Sequence, residues 1–127
     1  MNSQMETETV IWLVEDNEIF ATGVQRTITR LDGMICGGKY QSVEQAFAAL
    51  ESGEKPDVIL LDVQLPGMDG ITALSHLKGM APEAQVVILT VFDDEEKIFQ
   101  AVCAGASGYI LKSSTGAEIG EAIRQVI

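Results

Sequence analysis

Runs of unbroken apolar residues alternate along this chain with stretches whose apolar residues recur every three or four positions. Val10-Ile11-Trp12-Leu13-Val14, Val58-Ile59-Leu60-Leu61 and Val86-Val87-Ile88-Leu89 are continuously apolar, which predicts strands buried on both faces, as in a parallel sheet. Tyr109-Ile110-Leu111 is a shorter run of the same kind. Met34 to Tyr40 is weaker, interrupted by Gly37-Gly38, and is expected at the sheet edge.

Between the strands the period changes to that of a helix. Phe20, Val24, Ile28 and Leu31 step by four, four and three, and Asp32-Gly33 closes that helix. Ser42-Val43-Glu44-Gln45 has the form of a capping box and opens a helix over 42–51, stopped by Ser52-Gly53. Leu65-Pro66-Gly67 ends the Val58 strand near Asp62, and a helix carrying Ile71, Leu74 and Leu77 starts near Gly70 and ends at Gly79 and Pro82. Asp93-Asp94-Glu95-Glu96 places negative charge where the helix dipole favours it, with Ile98, Val102 and Ala106 expected to face the core and Gly105 and Gly108 at the end. Thr115-Gly116-Ala117-Glu118 is a second capping box, followed by the stripe Ile119, Ala122, Ile123 and Val126. Five strands alternating with five helices predict one α/β domain, a doubly wound parallel sheet with helices on both faces and right-handed crossovers.

Composition narrows the function. A chain of 127 residues buries roughly two-thirds of its unfolded surface, so no disulfide or structural metal is needed. Cys36 and Cys103 have no Cys-x-x-Cys spacing and are expected as buried, reduced thiols, which suits a cytoplasmic protein. No apolar run approaches the length that spans a bilayer, so no membrane partner is expected. The formal net charge of −11 would repel phosphate backbones, so any DNA contact needs another segment. Residues 1–9 read as a polar, flexible lead to a domain over 10–127.

The strand ends carry the chemistry. They deliver Glu15 and Asp16, Asp62, Thr90 and Lys112 to one edge, the edge where open α/β sheets bind ligands. At about 5 Å and an effective dielectric of about 20, each pair of like charges costs roughly 3 kcal/mol, so three carboxylates need a cation or must take up protons. Magnesium, with its oxygen ligands, is the natural candidate. With a phosphoryl group present, a carboxylate can act as nucleophile, a lysine can hold a phosphoryl oxygen and a threonine can donate to another.

These residues resemble the receiver domain of bacterial two-component response regulators, the CheY-like, flavodoxin-like (βα)5 fold. The resemblance spans about residues 9–127. It rests on the acidic pair Glu15-Asp16, on Leu60-Leu61-Asp62-Val63-Gln64-Leu65-Pro66-Gly67-Met68-Asp69-Gly70, on Thr90, on the aromatic Tyr109 and on Lys112. It implies Asp62 as phosphoacceptor and magnesium, or manganese in its place, held by Asp16 and Asp62 directly, by Glu15 through water and by the Gln64 carbonyl. It implies Thr90 and Lys112 as phosphoryl-binding residues and Thr90 with Tyr109 as a switch pair. The expected partner is a sensor histidine kinase, and the only chemistry expected is phosphotransfer to the protein's own Asp62 and its hydrolysis.

Leu89-Thr90-Val91-Phe92-Asp93-Asp94 and Ala104 through Lys112 resemble the NarL/FixJ, LuxR-type subfamily. Its members usually continue into a helix-turn-helix DNA-binding domain, absent from residues 1–127, so the expectation is an isolated receiver that would control transcription through that missing domain. The apolar stripe of the last helix suggests a phosphorylation-dependent homodimer. Two residues depart from or colour the pattern. Ser113 stands where many receivers have proline, so a cis bond after Lys112 is not implied; bulky Phe92, two residues after Thr90, predicts slow self-dephosphorylation.

Other readings compete. A haloacid-dehalogenase-like phosphatase also uses a strand-end aspartate, a lysine and magnesium, but it wants a second aspartate at the position of Gln64. A flavodoxin-like flavin carrier wants a Ser/Thr-rich phosphate loop where Glu15-Asp16 stands. A receiver that docks proteins without being phosphorylated would keep the same residues. His76, the single histidine, is expected on the surface, and Trp12 in the core.

Overall fold

The computed structural model describes residues 8–64, 70–91 and 95–127, and the side chains of Glu95 and Lys97 are not among what it describes. Leu65-Pro66-Gly67, Phe92, Asp93, Asp94 and most of the N-terminal lead therefore lie outside the described residues. Within them the order is β1 Thr9–Val14, α1 Glu18–Thr29, β2 Met34–Tyr40, α2 Val43–Glu51, β3 Val58–Asp62, α3 Gly70–Met80, β4 Gln85–Thr90, α4 Glu95–Cys103, β5 Gly108–Leu111 and α5 Gly116–Val126. The five strands form one parallel sheet in the order β2-β1-β3-β4-β5. The doubly wound α/β architecture is as expected, with β2 at an edge.

Strand alternation divides the core into two layers. Ile11, Leu13, Val58, Leu60, Val87, Leu89 and Ile110 pack against Ala21, Val24 and Ile28 of α1 and Ile119 and Ile123 of α5. Trp12, Val14, Ile59, Leu61, Val86 and Ile88 face the other way, onto α2, α3 and Ala101 of α4. All five residues of β3 are buried, which is why its sequence shows no alternation.

Strand β2 slips by one residue against β1. Ile11 pairs with Cys36 but Trp12 pairs with Gly38, leaving Gly37 as the extra residue of a bulge. A Cβ on Gly37 would lie 2.5 Å from Val10 Cγ1, so the bulge needs glycine there. At the end of β3, Gly70 starts α3 against the chain that leaves the strand, and a Cβ there would come 2.5 Å from Val63 Cα.

Several expectations need correction. Strand β1 already includes Thr9. The Ser42 hydroxyl accepts from Gln45 N as a capping box requires, but the Gln45 side chain accepts from Gln41 N rather than Ser42 N. The Thr115–Glu118 box is reciprocal. In α4 the buried residue is Ala101, and Val102 is 54% exposed, because a 3.6-residue period puts the face of Ala101 and half-buried Ile98 against the sheet. Cys103, at the end of the same helix, is exposed, and Cys36 is half-buried; both are free thiols. The stripe of α5 packs on the core, with Ile119 and Ile123 buried and Ala122 and Val126 half-buried beside them. His76 is exposed and stacks on Phe47 at 6.0 Å. No cis peptide bond occurs among the described residues, and none of their helices is long and apolar enough to cross a membrane.

Candidate functional site

The order of the sheet reverses at β1 and β3, whose connections leave in opposite directions, and in open α/β sheets ligands bind beyond the C-terminal strand ends at such a point. Glu15 follows β1, Asp62 ends β3 and Lys112 follows β5. All three continue the alternation of Leu13, Leu60 and Ile110, so they emerge on the α1 and α5 side of the sheet. Lys112 is fixed by its own backbone, whose N–H donates to the Thr90 carbonyl at 2.8 Å.

The Lys112 ammonium bridges the other two strand ends. It donates to Asp62 Oδ2 at 3.1 Å and lies 2.6 Å from Glu15 Oε1. The second contact is an ion pair without hydrogen-bond alignment, since Glu15 Oε1 is buried and accepts no hydrogen bond among the described residues. The remaining oxygens are held by backbone: Asn17 N donates to Glu15 Oε2 at 3.0 Å and Gln64 N to Asp62 Oδ1 at 2.9 Å. Glu15 is 1% exposed and Asp62 2%.

Burial pushes the Glu15 carboxyl above the ordinary glutamate range, against the pull of Lys112 and Asn17, and the Asp62 charge adds to the rise. Burial also works against the Lys112 ammonium, but its contacts with Glu15 and Asp62 outweigh that and raise its pKa. Geometry favours an ionised pair at 2.6 Å with negative charge to spare, because one ammonium faces two buried carboxylates and Asp16 is beside them.

Oxygens of Glu15, Asp16 and Asp62 lie within 4.8 Å of one another. With Glu15 Oε1 buried and its ion pair to Lys112 lacking hydrogen-bond alignment, that donor set fits a hard divalent cation. Asn17, not Asp16, caps α1, its Oδ1 accepting from Phe20 N at 3.0 Å. Exposed Asp16 carries no hydrogen bond or ion pair among the described residues.

The remaining candidates lie around this cluster. Thr90 is buried at the end of β4. Gln64 is exposed, and its N–H already serves Asp62. Tyr109 is 44% exposed and pairs with Ile88, which puts it on the same face of the sheet as Thr90, opposite the carboxylates. One contact escaped sequence reasoning: the Phe20 ring, read only as the first residue of a core stripe, sits with its centroid 5.0 Å from Lys112 Nζ.

Residues 11–124 match the family described as response regulator receiver domain. The transcriptional regulatory protein YxjL of Bacillus subtilis is 38% identical over 112 residues, which is 88% of this chain and 51% of that protein. The nitrate/nitrite response regulator protein NarL of Escherichia coli is 32% identical over 123 residues, 97% of this chain and 56% of that protein. The chain thus spans about half the length of the curated relatives it matches. Among solved structures, a LuxR-family two-component response regulator from Aurantimonas superposes with a TM-score of 0.86 at 32% identity, covering 94% of this chain and 85% of that one.

Proposed function

Because this chain belongs to the response regulator receiver family, we propose that it is a phosphorylation switch whose Asp62 takes a phosphoryl group from a sensor histidine kinase. The observation that carries this is the convergence of Glu15, Asp62 and Lys112, from three different strands, on one ammonium–carboxylate cluster beside Asp16. Asp62 is held for attack, with Oδ1 fixed by Gln64 N and Oδ2 turned to Lys112.

In the proposed step an Asp62 oxygen attacks phosphorus. A P–O bond forms as the donor's P–N bond breaks, and the imidazole nitrogen keeps the electron pair and takes a proton. Lys112 and the Thr90 hydroxyl hold phosphoryl oxygens, Lys112 as a point charge and Thr90 as a donor. Asp16, Asp62, the Gln64 carbonyl and, through water, Glu15 would hold magnesium or manganese, which supplies neutralisation of charge on the transferring group. Hydrolysis, with water attacking phosphorus, returns the carboxylate and releases phosphate. Thr90 and Tyr109 are the proposed switch pair. The output is proposed to be transcription through a LuxR-type DNA-binding domain outside these residues, in the cytoplasm. This reading is supported by relatives whose names describe transcriptional and response regulators.

The test is the intact mass of the protein and of Asp62→Asn after incubation with acetyl phosphate and magnesium. One phosphoryl adduct is expected on the first, none on the second, and none once the metal is chelated. An adduct that persists in Asp62→Asn would overturn the assignment of Asp62. No adduct even with a histidine-phosphorylated donor would point instead to a receiver that works by docking alone.

A further inference from the structure

Lys112 has two tasks in the proposed function that conflict. Without a metal it neutralises Glu15 and Asp62; with a cation at the three carboxylates, that cation competes for the same oxygens and repels the ammonium. Lysine is a compact charge on a flexible stem of four carbons, and nothing in its own chemistry keeps it beside Asp62 once Glu15 is taken. Among the described residues, a further group that attracts it is the face of Phe20, 5.0 Å away.

An aromatic face holds a cation through its quadrupole and uses up none of its N–H donors. The ring itself is anchored. Phe20 is half-buried against the layer formed by Ile11, Leu13, Val24 and Ile119, and its N–H is capped by Asn17. We propose that Phe20 is a positioning residue for phosphotransfer: its ring keeps the Lys112 ammonium beside Asp62 when a divalent cation occupies the carboxylates, leaving the N–H donors for the phosphoryl oxygens. The proposal rests on the phosphotransfer reading above, and its test separates the two.

Fluorination weakens the negative ring face while nearly preserving its shape. Mono-, di- and trifluorinated phenylalanine at position 20 should slow adduct formation from acetyl phosphate stepwise, to about fivefold for the trifluorinated ring, while thermal stability stays level. Phe20→Leu should lose at least as much, and Phe20→Tyr should retain the rate. A rate that is flat through the series, or that follows stability instead of fluorine count, overturns the proposal. The second readout needs no phosphorylation. The Lys112 ε-methylene protons should be shifted upfield by the ring in saturating magnesium, and the shift should vanish in Phe20→Leu. If magnesium alone abolishes the shift, the ring does not retain the ammonium and Phe20 is plain core. If the shift persists but no adduct forms on the unsubstituted protein, the positioning stands and the phosphotransfer reading falls.

Discussion

The Lys112 ammonium lies 3.1 Å from Asp62 Oδ2 although β5 and β3 are not neighbours, with β4 running between them. The long side chain crosses over the end of β4 and ties together residues 50 positions apart. Its reach makes the cluster a property of the folded sheet, absent from any local segment.

Removing that ammonium leaves two buried carboxylates facing each other. Lys112→Met should cost about 2 kcal/mol of stability in chelator, less than for a fully buried pair because the lysine side chain is 18% exposed. Magnesium should restore part of the loss, since a ligand that binds only the folded state stabilises it. Urea unfolding with and without the metal measures both. A variant as stable as the parent in chelator would mean that the carboxylates need no counter-charge.

Two glycines should respond in opposite ways to alanine. Gly70→Ala pushes a Cβ to 2.5 Å from Val63 Cα and 2.6 Å from its carbonyl oxygen, and backbone cannot step aside cheaply. A loss of about 1–3 kcal/mol is expected, with weaker phosphorylation because Val63 follows Asp62. Gly23 lies mid-helix in α1 with nothing within 4 Å of its would-be Cβ, so Gly23→Ala should gain about 0.5–1 kcal/mol. Equal effects in denaturant titrations would contradict this packing.

The α5 cap predicts an acid-sensitive helix start. Thr115 and Glu118 exchange hydrogen bonds, and those bonds lower the Glu118 pKa from 4.5. A group whose pKa is lower folded than unfolded adds stability that is present above its unfolded value and is lost as pH falls through the folded one. Stability should therefore decline below 4.5, and Glu118→Gln should remove its share of that decline. Thr115→Ala should cost about 1 kcal/mol at neutral pH. Thermal melts across the acid range settle both; an unchanged acid slope in Glu118→Gln would contradict the box.

The thiols should separate by reactivity. Cys103 is exposed at the end of α4, whereas burial pushes the Cys36 thiol up and its Sγ contacts the Gly38 carbonyl at 3.6 Å. Thiolate is the reacting form, so one equivalent of iodoacetamide should label Cys103 first, as read by peptide mass. Equal labelling would show β2 opening at the sheet edge.

The strands and their polar ends were legible because a two-sided buried strand has no way to hide its pattern: Val58 to Leu61 can be little else, and Asp62 must then stand at the edge. Helix α4 was less legible. Ile98, Phe99, Ala101, Val102 and Ala104 put apolar residues on more than one side, and periodicity alone chose Val102 over Ala101; Phe99 is in fact 67% exposed. The α5 stripe was read correctly as apolar, but its partner turned out to be the sheet, because a stripe does not say what it covers. Phe20 over Lys112 was out of reach, since the contact exists only once α1 and the end of β5 meet on one face of the sheet.

The one-residue slip of β2 decides the fate of its last two side chains. Unslipped, alternation would turn Lys39 towards Trp12 and Tyr40 towards α1. With Gly37 absorbed between Cys36 and Gly38, Lys39 instead reaches Glu18 at 2.9 Å, and Tyr40 meets the Trp12 ring edge-on at 5.0 Å. A charge arrives beside the acidic start of α1 and a ring arrives in the apolar layer. The edge strand works as a phase shifter, and deleting either glycine would exchange an ammonium and a phenol between the two sides of the sheet.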